Sequence, residues 1–158
     1  MSQFPLKAAA LVAGAFMAFT LQAQDIKRVP APNDFPIASS VSLPADAKLH
    51  YLSGAVPSKN EAGEYGDTQA QTVSVLKSIE DNLKSMGLTM GDVVKMQVYL
   101  VADPNKDSKM DFAGFMKGYT QFFGTEAQPN LPARSAMQVA GLVMPEWLVE
   151  IEVVAASK

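Results

Sequence analysis

The sequence predicts an α+β protein, a mostly antiparallel sheet with two helices packed on one face. Three observations lead there. Between Asp67 and Gly87, apolar residues recur every three or four positions, the period of a helix. The run "VVKMQVYLV", Val93 to Val101, alternates strictly and reads as a half-buried strand. A second helical stripe ends at Gly124 and is followed by two further strand-like runs. Two helices on one sheet face satisfy the order strands, helix, strand, helix, strands most economically. The other sheet face then needs cover, and self-association supplies it when a chain has no helices left.

The first 23 residues stand apart from this domain. "MSQFPLK" carries one positive charge, and the uncharged run "AAALVAGAFMAFTL" has 14 residues before "QAQD" returns to polarity. A basic start, a short apolar stretch and a small residue at the exit describe a secretory signal peptide, with cleavage expected after Ala23. The expected location is periplasmic or secreted, with no membrane attachment once the peptide is gone. The mature chain then runs from Gln24 to Lys158 and carries a net charge of about −4, because Lys7 is the only charge lost. Residues 24–47 read as an extended, proline-rich segment with one short strand near Val41, and Lys27 and Arg28 within it as a solvated leader. Residues 48–158 form the folded domain.

Along that domain, "KLHYLSGAVP" reads as a strand ending at Pro57, and the glycine-containing run "SKNEAGEYGD" as a loop. Val73, Leu76, Ile79, Leu83 and Met86 mark the first helix, and Gly87 its stop. In the strand that follows, Val94, Met96, Val98 and Leu100 face one way and Lys95, Gln97 and Tyr99 the other. Ser108 with Asp111 resembles a capping pair for the second helix, whose stripe is Phe112, Phe115, Met116, Tyr119, Phe122 and Phe123. That stripe reads as core packing. The last two strands are "ARSAMQVAGL" and "WLVEIEVVA". Alternation sorts Ser135, Met137 and Val139 from Arg134, Ala136 and Gln138, and Trp147, Val149, Ile151 and Val153 from Glu150 and Glu152. The expectation is a polar face carrying Arg134 on one strand and the two glutamates on another, free to pair across the sheet or to hold a ligand.

Composition narrows the chemistry. A net charge of −3 with no run of Lys or Arg leaves no electrostatic footprint for nucleic acid. The absence of cysteine removes disulfides and thiolate chemistry, and the single histidine, His50, rules out a multi-histidine metal site and disfavours a Ser-His-Asp mechanism. Arginine's planar fork suits a carboxylate, a nearby glutamate accepts a proton from water, and the small Ala136 and Gly141 leave room for a ligand.

"LPARSAMQVAGL" followed by "VEIEVVA" resembles the RidA/YjgF family of reactive-intermediate deaminases. "YLSGAVP", "GLTMGDVVKMQVYLVA" and "FMKGYTQFFG" match the family's other blocks in the same order, from about His50 to Ala156. The resemblance implies a chorismate-mutase-like fold and a homotrimer with ligand clefts between subunits. It implies cofactor-free hydrolysis of imines and enamines such as 2-aminoacrylate to 2-keto acids and ammonia. By the same resemblance Arg134 clamps the substrate carboxylate, Glu150 positions the attacking water, and Ser53 lines the cleft. Ile37 stands where the family often has tyrosine, Met116 where many members have asparagine, and Ala136 where cysteine is frequent. One extra residue lies between Arg134 and Glu150. The expected substrate-binding positions Ile37, Met116 and Ala136 therefore make a more apolar pocket. Two readings remain open: a deaminase acting on a carboxylate-bearing small molecule, and a non-catalytic trimeric ligand-binding or stress-protective protein on the same scaffold.

Overall fold

The computed structural model describes residues 25–158; the expected signal peptide lies outside them. Six strands form one sheet in the order β1-β2-β5-β4-β6-β3. The strands are β1 (Lys27–Pro30), β2 (Ala38–Ser42), β3 (Lys48–Ala55), β4 (Val93–Val101), β5 (Ala133–Val139) and β6 (Val149–Ser157). Two helices, α1 (Thr68–Ser85) and α2 (Phe112–Tyr119), cover one face. The sheet is mixed: β5 runs parallel to both β2 and β4, while β1–β2, β4–β6 and β3–β6 pair antiparallel. No helix among the described residues is long and apolar enough to cross a membrane.

α1 starts at Asp67, whose carboxylate accepts a hydrogen bond from the Ala70 amide at 2.8 Å. It ends at Gly87, which takes the left-handed conformation that a β-carbon disfavours (φ 74°). Its buried stripe runs through Gln71, Thr72, Val75, Leu76, Ile79 and Leu83, so Val75 rather than Val73 faces the core, and Met86 is exposed. α2 is capped by Asp111 alone, accepting from the Gly114 amide at 2.9 Å; Ser108 sits in the preceding turn with positive φ and is not its cap. The helices cross closely at Gly118, where an added β-carbon would lie 2.7 Å from Thr72 Cβ. Under them, Met96, Val98, Leu100, Val149, Ile151 and Val153 form the buried sheet face.

The N-terminal segment is more structured than its prolines predict. It contributes both β1 and β2, and Arg28 is not a solvated leader. The Arg28 guanidinium donates to the carbonyls of Leu131, Gly91 and Val93 at 3.2, 3.0 and 3.2 Å. Three backbone acceptors hold this half-buried charge in place, tying the first strand to the turns before β4 and β5.

The opposite sheet face is open. Tyr51 is 78% exposed on it, Leu49 and Met137 are partly exposed, and Val41, Leu43, Leu49, Tyr51, Lys95 and Val154 line a hollow of about 360 Å³.

Candidate active site

Strand register decides which side chains meet. In β5, Arg134 pairs with Met96 and Ala136 with Val98; both β4 partners are fully buried beneath the helices. Paired residues project from the same face, so Arg134 points to the helix side. In β6, Glu150 pairs with Tyr99 and Glu152 with Gln97, and these point to the open face alongside Ser135 and Met137. The expectation of a shared polar face is thus overturned: Arg134 and the two glutamates lie on opposite faces, with β4 between their strands. The Ser135, Met137 and Val139 set is the more apolar of the two in β5, so a count of apolar residues puts it on the helix side; the register puts Arg134 and Ala136 there instead.

Arg134 is held on the helix side by aromatic rings. The guanidinium carbon lies 4.3 Å from the centroid of Tyr119, 5.0 Å from Phe115, 5.6 Å from Phe35 and 5.9 Å from Phe112. Ring quadrupoles stabilise the cation where water is scarce. One terminal nitrogen, Nη2, donates to the thioether of Met116 at 3.3 Å, and the other, Nη1, is buried without a partner. No acid forms an ion pair with Arg134 among the described residues. Burial lowers its pKa from the ordinary guanidinium value, with Tyr119 acting in the other direction. Burial likewise pushes the Tyr119 hydroxyl up to about 12, against the opposing influence of the arginine charge. That hydroxyl donates to the Pro36 carbonyl at 2.9 Å, drawing the Phe35–Ile37 segment to α2. Immediately after Ile37, Ala38 pairs with Ala133, the residue before Arg134. Ile37, Met116 and Ala136 are therefore gathered near Arg134.

Ser53 and Glu150 form a second group. The β3–β6 register slips between Leu52 and Ala55, leaving Ser53 and Gly54 in an irregularity. The Glu150 carboxylate occupies the space that Gly54 leaves free: a β-carbon there would overlap Oε1 and lie 2.9 Å from Cδ. Close by, Tyr99 donates to the Glu152 carboxylate at 3.1 Å. Within one chain, then, the cation with Ile37, Met116 and Ala136 is on one side, and Ser53 with Glu150 on the other.

Sequence reasoning passed over three parts of this arrangement. Phe35 joins the rings around Arg134 although it lies in an irregular proline segment. Gly54 makes room for Glu150. Gln71, 1% exposed, clamps the connection before β6: its amide nitrogen donates to the carbonyls of Gly66 and Glu146 at 3.1 and 3.0 Å, and its amide oxygen accepts from the Leu148 amide at 2.7 Å. A polar residue on the apolar stripe of α1 was the available signal for Gln71.

Comparison with known proteins identifies the family and the fold. The chain is 37% identical over 124 residues to a RutC family protein of Haemophilus influenzae, covering 78% of this chain and 88% of the relative. It is 36% identical over 107 residues to the 2-iminobutanoate/2-iminopropanoate deaminase of Escherichia coli strain K12, covering 67% and 77%. Among solved structures it resembles a YjgF family protein of Neisseria meningitidis, with TM-score 0.56 and 26% identity over 87% of this chain and 98% of that one. The family model described as endoribonuclease L-PSP matches residues 38–157. With strands β2 to β6, both helices and the block around Arg134 inside that match, the chain belongs to the endoribonuclease L-PSP family, the RidA/YjgF proteins.

Proposed function

We propose that the protein is a cofactor-independent hydrolytic deaminase of imines and enamines that carry a carboxylate beside the reactive carbon, 2-aminoacrylate-like compounds among them. The observation that carries this reading is Arg134, a ring-enclosed guanidinium with a buried, unpartnered Nη1 and no acid of its own. Such a group offers a planar fork to a substrate carboxylate. The family relationship and the deaminase name of the Escherichia coli relative support the reaction class.

In the proposed reaction, Arg134 holds the carboxylate and orients the adjacent C=N bond. Glu150 takes a proton from water as the oxygen adds to the imine carbon. That proton goes to nitrogen, and a second passes from the new hydroxyl to nitrogen as the C=O bond forms and the C–N bond breaks, releasing ammonia and a 2-keto acid. An enamine first becomes the imine by taking up a proton at its terminal carbon. An imine is already electrophilic, so orientation and one proton acceptor suffice.

Because Glu150 and Arg134 lie on opposite faces of one sheet, the proposed site draws them from different subunits of a homotrimer, with the open face and its exposed Tyr51 at the contact. Export by the N-terminal peptide would place the enzyme in the periplasm or outside the cell. The test is ammonia and keto-acid release from imines generated by an amino-acid oxidase, with the mature protein and Arg134→Ala. Acceleration by the wild type alone is expected; equal rates sink the proposal. A solution mass of one chain rather than three removes the inter-subunit site.

A second reading, a non-catalytic binding protein on this scaffold, is favoured by the apolar Ile37, Met116 and Ala136 around the clamp. It predicts keto-acid binding without turnover.

A further inference from the structure

We infer that Met116 is a displaceable cap on Arg134, occupying in the free protein the position a carboxylate oxygen takes in the complex. This inference rests on the reading of Arg134 as the carboxylate clamp and adds a specificity-determining residue to it.

The Met116 sulfur is 3.3 Å from Nη2 and is the one side-chain atom in hydrogen-bonding geometry with the guanidinium among the described residues, although the neighbouring Tyr119 hydroxyl also favours its charge. A thioether is a weak acceptor, so the contact compensates little of the cation's desolvation. Nη1, on the same fork, has no partner and no contact with water. The free protein therefore keeps a desolvated cation with one poor acceptor and one vacant donor. A planar carboxylate satisfies both nitrogens at once, and its charge-assisted bonds are roughly twice as strong as neutral ones. To make them it must move the sulfur.

Met116 is suited to moving. It lies in the second half of α2, partly buried at the edge of the core, and its unbranched side chain turns about three bonds without shifting the helix. The rings of Phe115 and Tyr119 stay behind to hold the guanidinium. Acceptor strength at position 116, not volume alone, then sets the affinity for the carboxylate. A side chain without an acceptor leaves the fork open, and a strong acceptor closes it.

The experiment titrates 2-oxobutanoate, a probe of the product class, into the full-length mature protein by calorimetry, comparing wild type with Met116→Leu and Met116→Gln. Met116→Leu is expected to bind about threefold tighter, because no acceptor competes for Nη2. Met116→Gln, close to methionine in length, is expected to bind about fivefold weaker, because its amide oxygen holds the cation. The affinity order Leu, Met, Gln supports the cap. Equal affinities, or losses alike in both variants as a packing role would give, overturn it. If none of the three proteins binds the probe, the Arg134 clamp itself is overturned and the cap falls with it. If Met116→Leu does not fold, a Gln variant that binds as tightly as wild type is enough to refute the cap.

Discussion

Gly54→Ala is the sharpest test of Glu150. Gly54 is not among the glycines with positive φ, so alanine adopts the same backbone without strain. The whole effect falls on the neighbour: the new β-carbon would overlap Glu150 Oε1 and sit 2.9 Å from Cδ and 3.2 Å from Cγ. Those distances are well inside carbon contact, so the glutamate must leave its rotamer or stay in a distorted one at a cost of about 0.5–1.5 kcal/mol. A penalty near 1 kcal/mol lowers the melting temperature by roughly 4 °C in a domain of this size. The catalytic effect is larger, because displacing a positioning group by about 1 Å costs on the order of 100-fold in rate. In steady-state deamination of an oxidase-generated imine, kcat is therefore expected to fall about 100-fold. KM should stay within about twofold, since the carboxylate clamp is untouched. A folded Gly54→Ala protein with kcat within about threefold of wild type refutes the role of Glu150 at this position.

Three further outcomes are expected. Gln71→Met keeps the volume but leaves the Leu148 amide and two carbonyls without their partner, so unfolding in urea should show a loss of about 2–4 kcal/mol, and hydrogen exchange should speed at Leu148. Arg28→Ala removes three backbone contacts and should cost about 1.5–3 kcal/mol, with faster exchange confined to β1 and the turns around Gly91 and Leu131. Tyr119 has a folded pKa of about 12 against an ordinary 10.0, so the folded state retains its proton longer than the unfolded chain. Stability is unaffected by this group below pH 10 and falls between about pH 10 and 12, by roughly 2 kcal/mol. Tyr119→Phe should flatten that alkaline limb, measured as ΔG against pH; an unchanged slope refutes the assignment.

Local physics was legible in the residues. The three- and four-residue spacing of α1, the alternation of β4 from Lys95 onward and the stop at Gly87 follow from short-range backbone geometry and appear in the fold, whereas α2 ends at Tyr119, well before the expected stop at Gly124. The block from Leu131 to Leu142 with Glu150 downstream also marked the family without any coordinates. β2 is the short strand expected near Val41, but Arg28 and β1 were not legible, because their order comes from carbonyls more than 60 residues away.

What the sequence alone determined was the elements from β2 onward and the parity of β5 and β6, which residues share a side; in β4 the irregularity near Val93 turns Val94 away from Met96 to the open face. Tertiary structure decided which side each set takes. β4 inserts between β5 and β6, and its buried Met96 and Val98 fix Arg134 and Ala136 to the helix side while Tyr99 and Gln97 fix the glutamates to the other. Alternation has a period of two residues and no sign, and in β5 both sets mix polar with apolar groups. Four rings drawn from α2 and the Phe35 segment supply the sign, by stabilising a cation on the face that a count of apolar residues assigns to Met137.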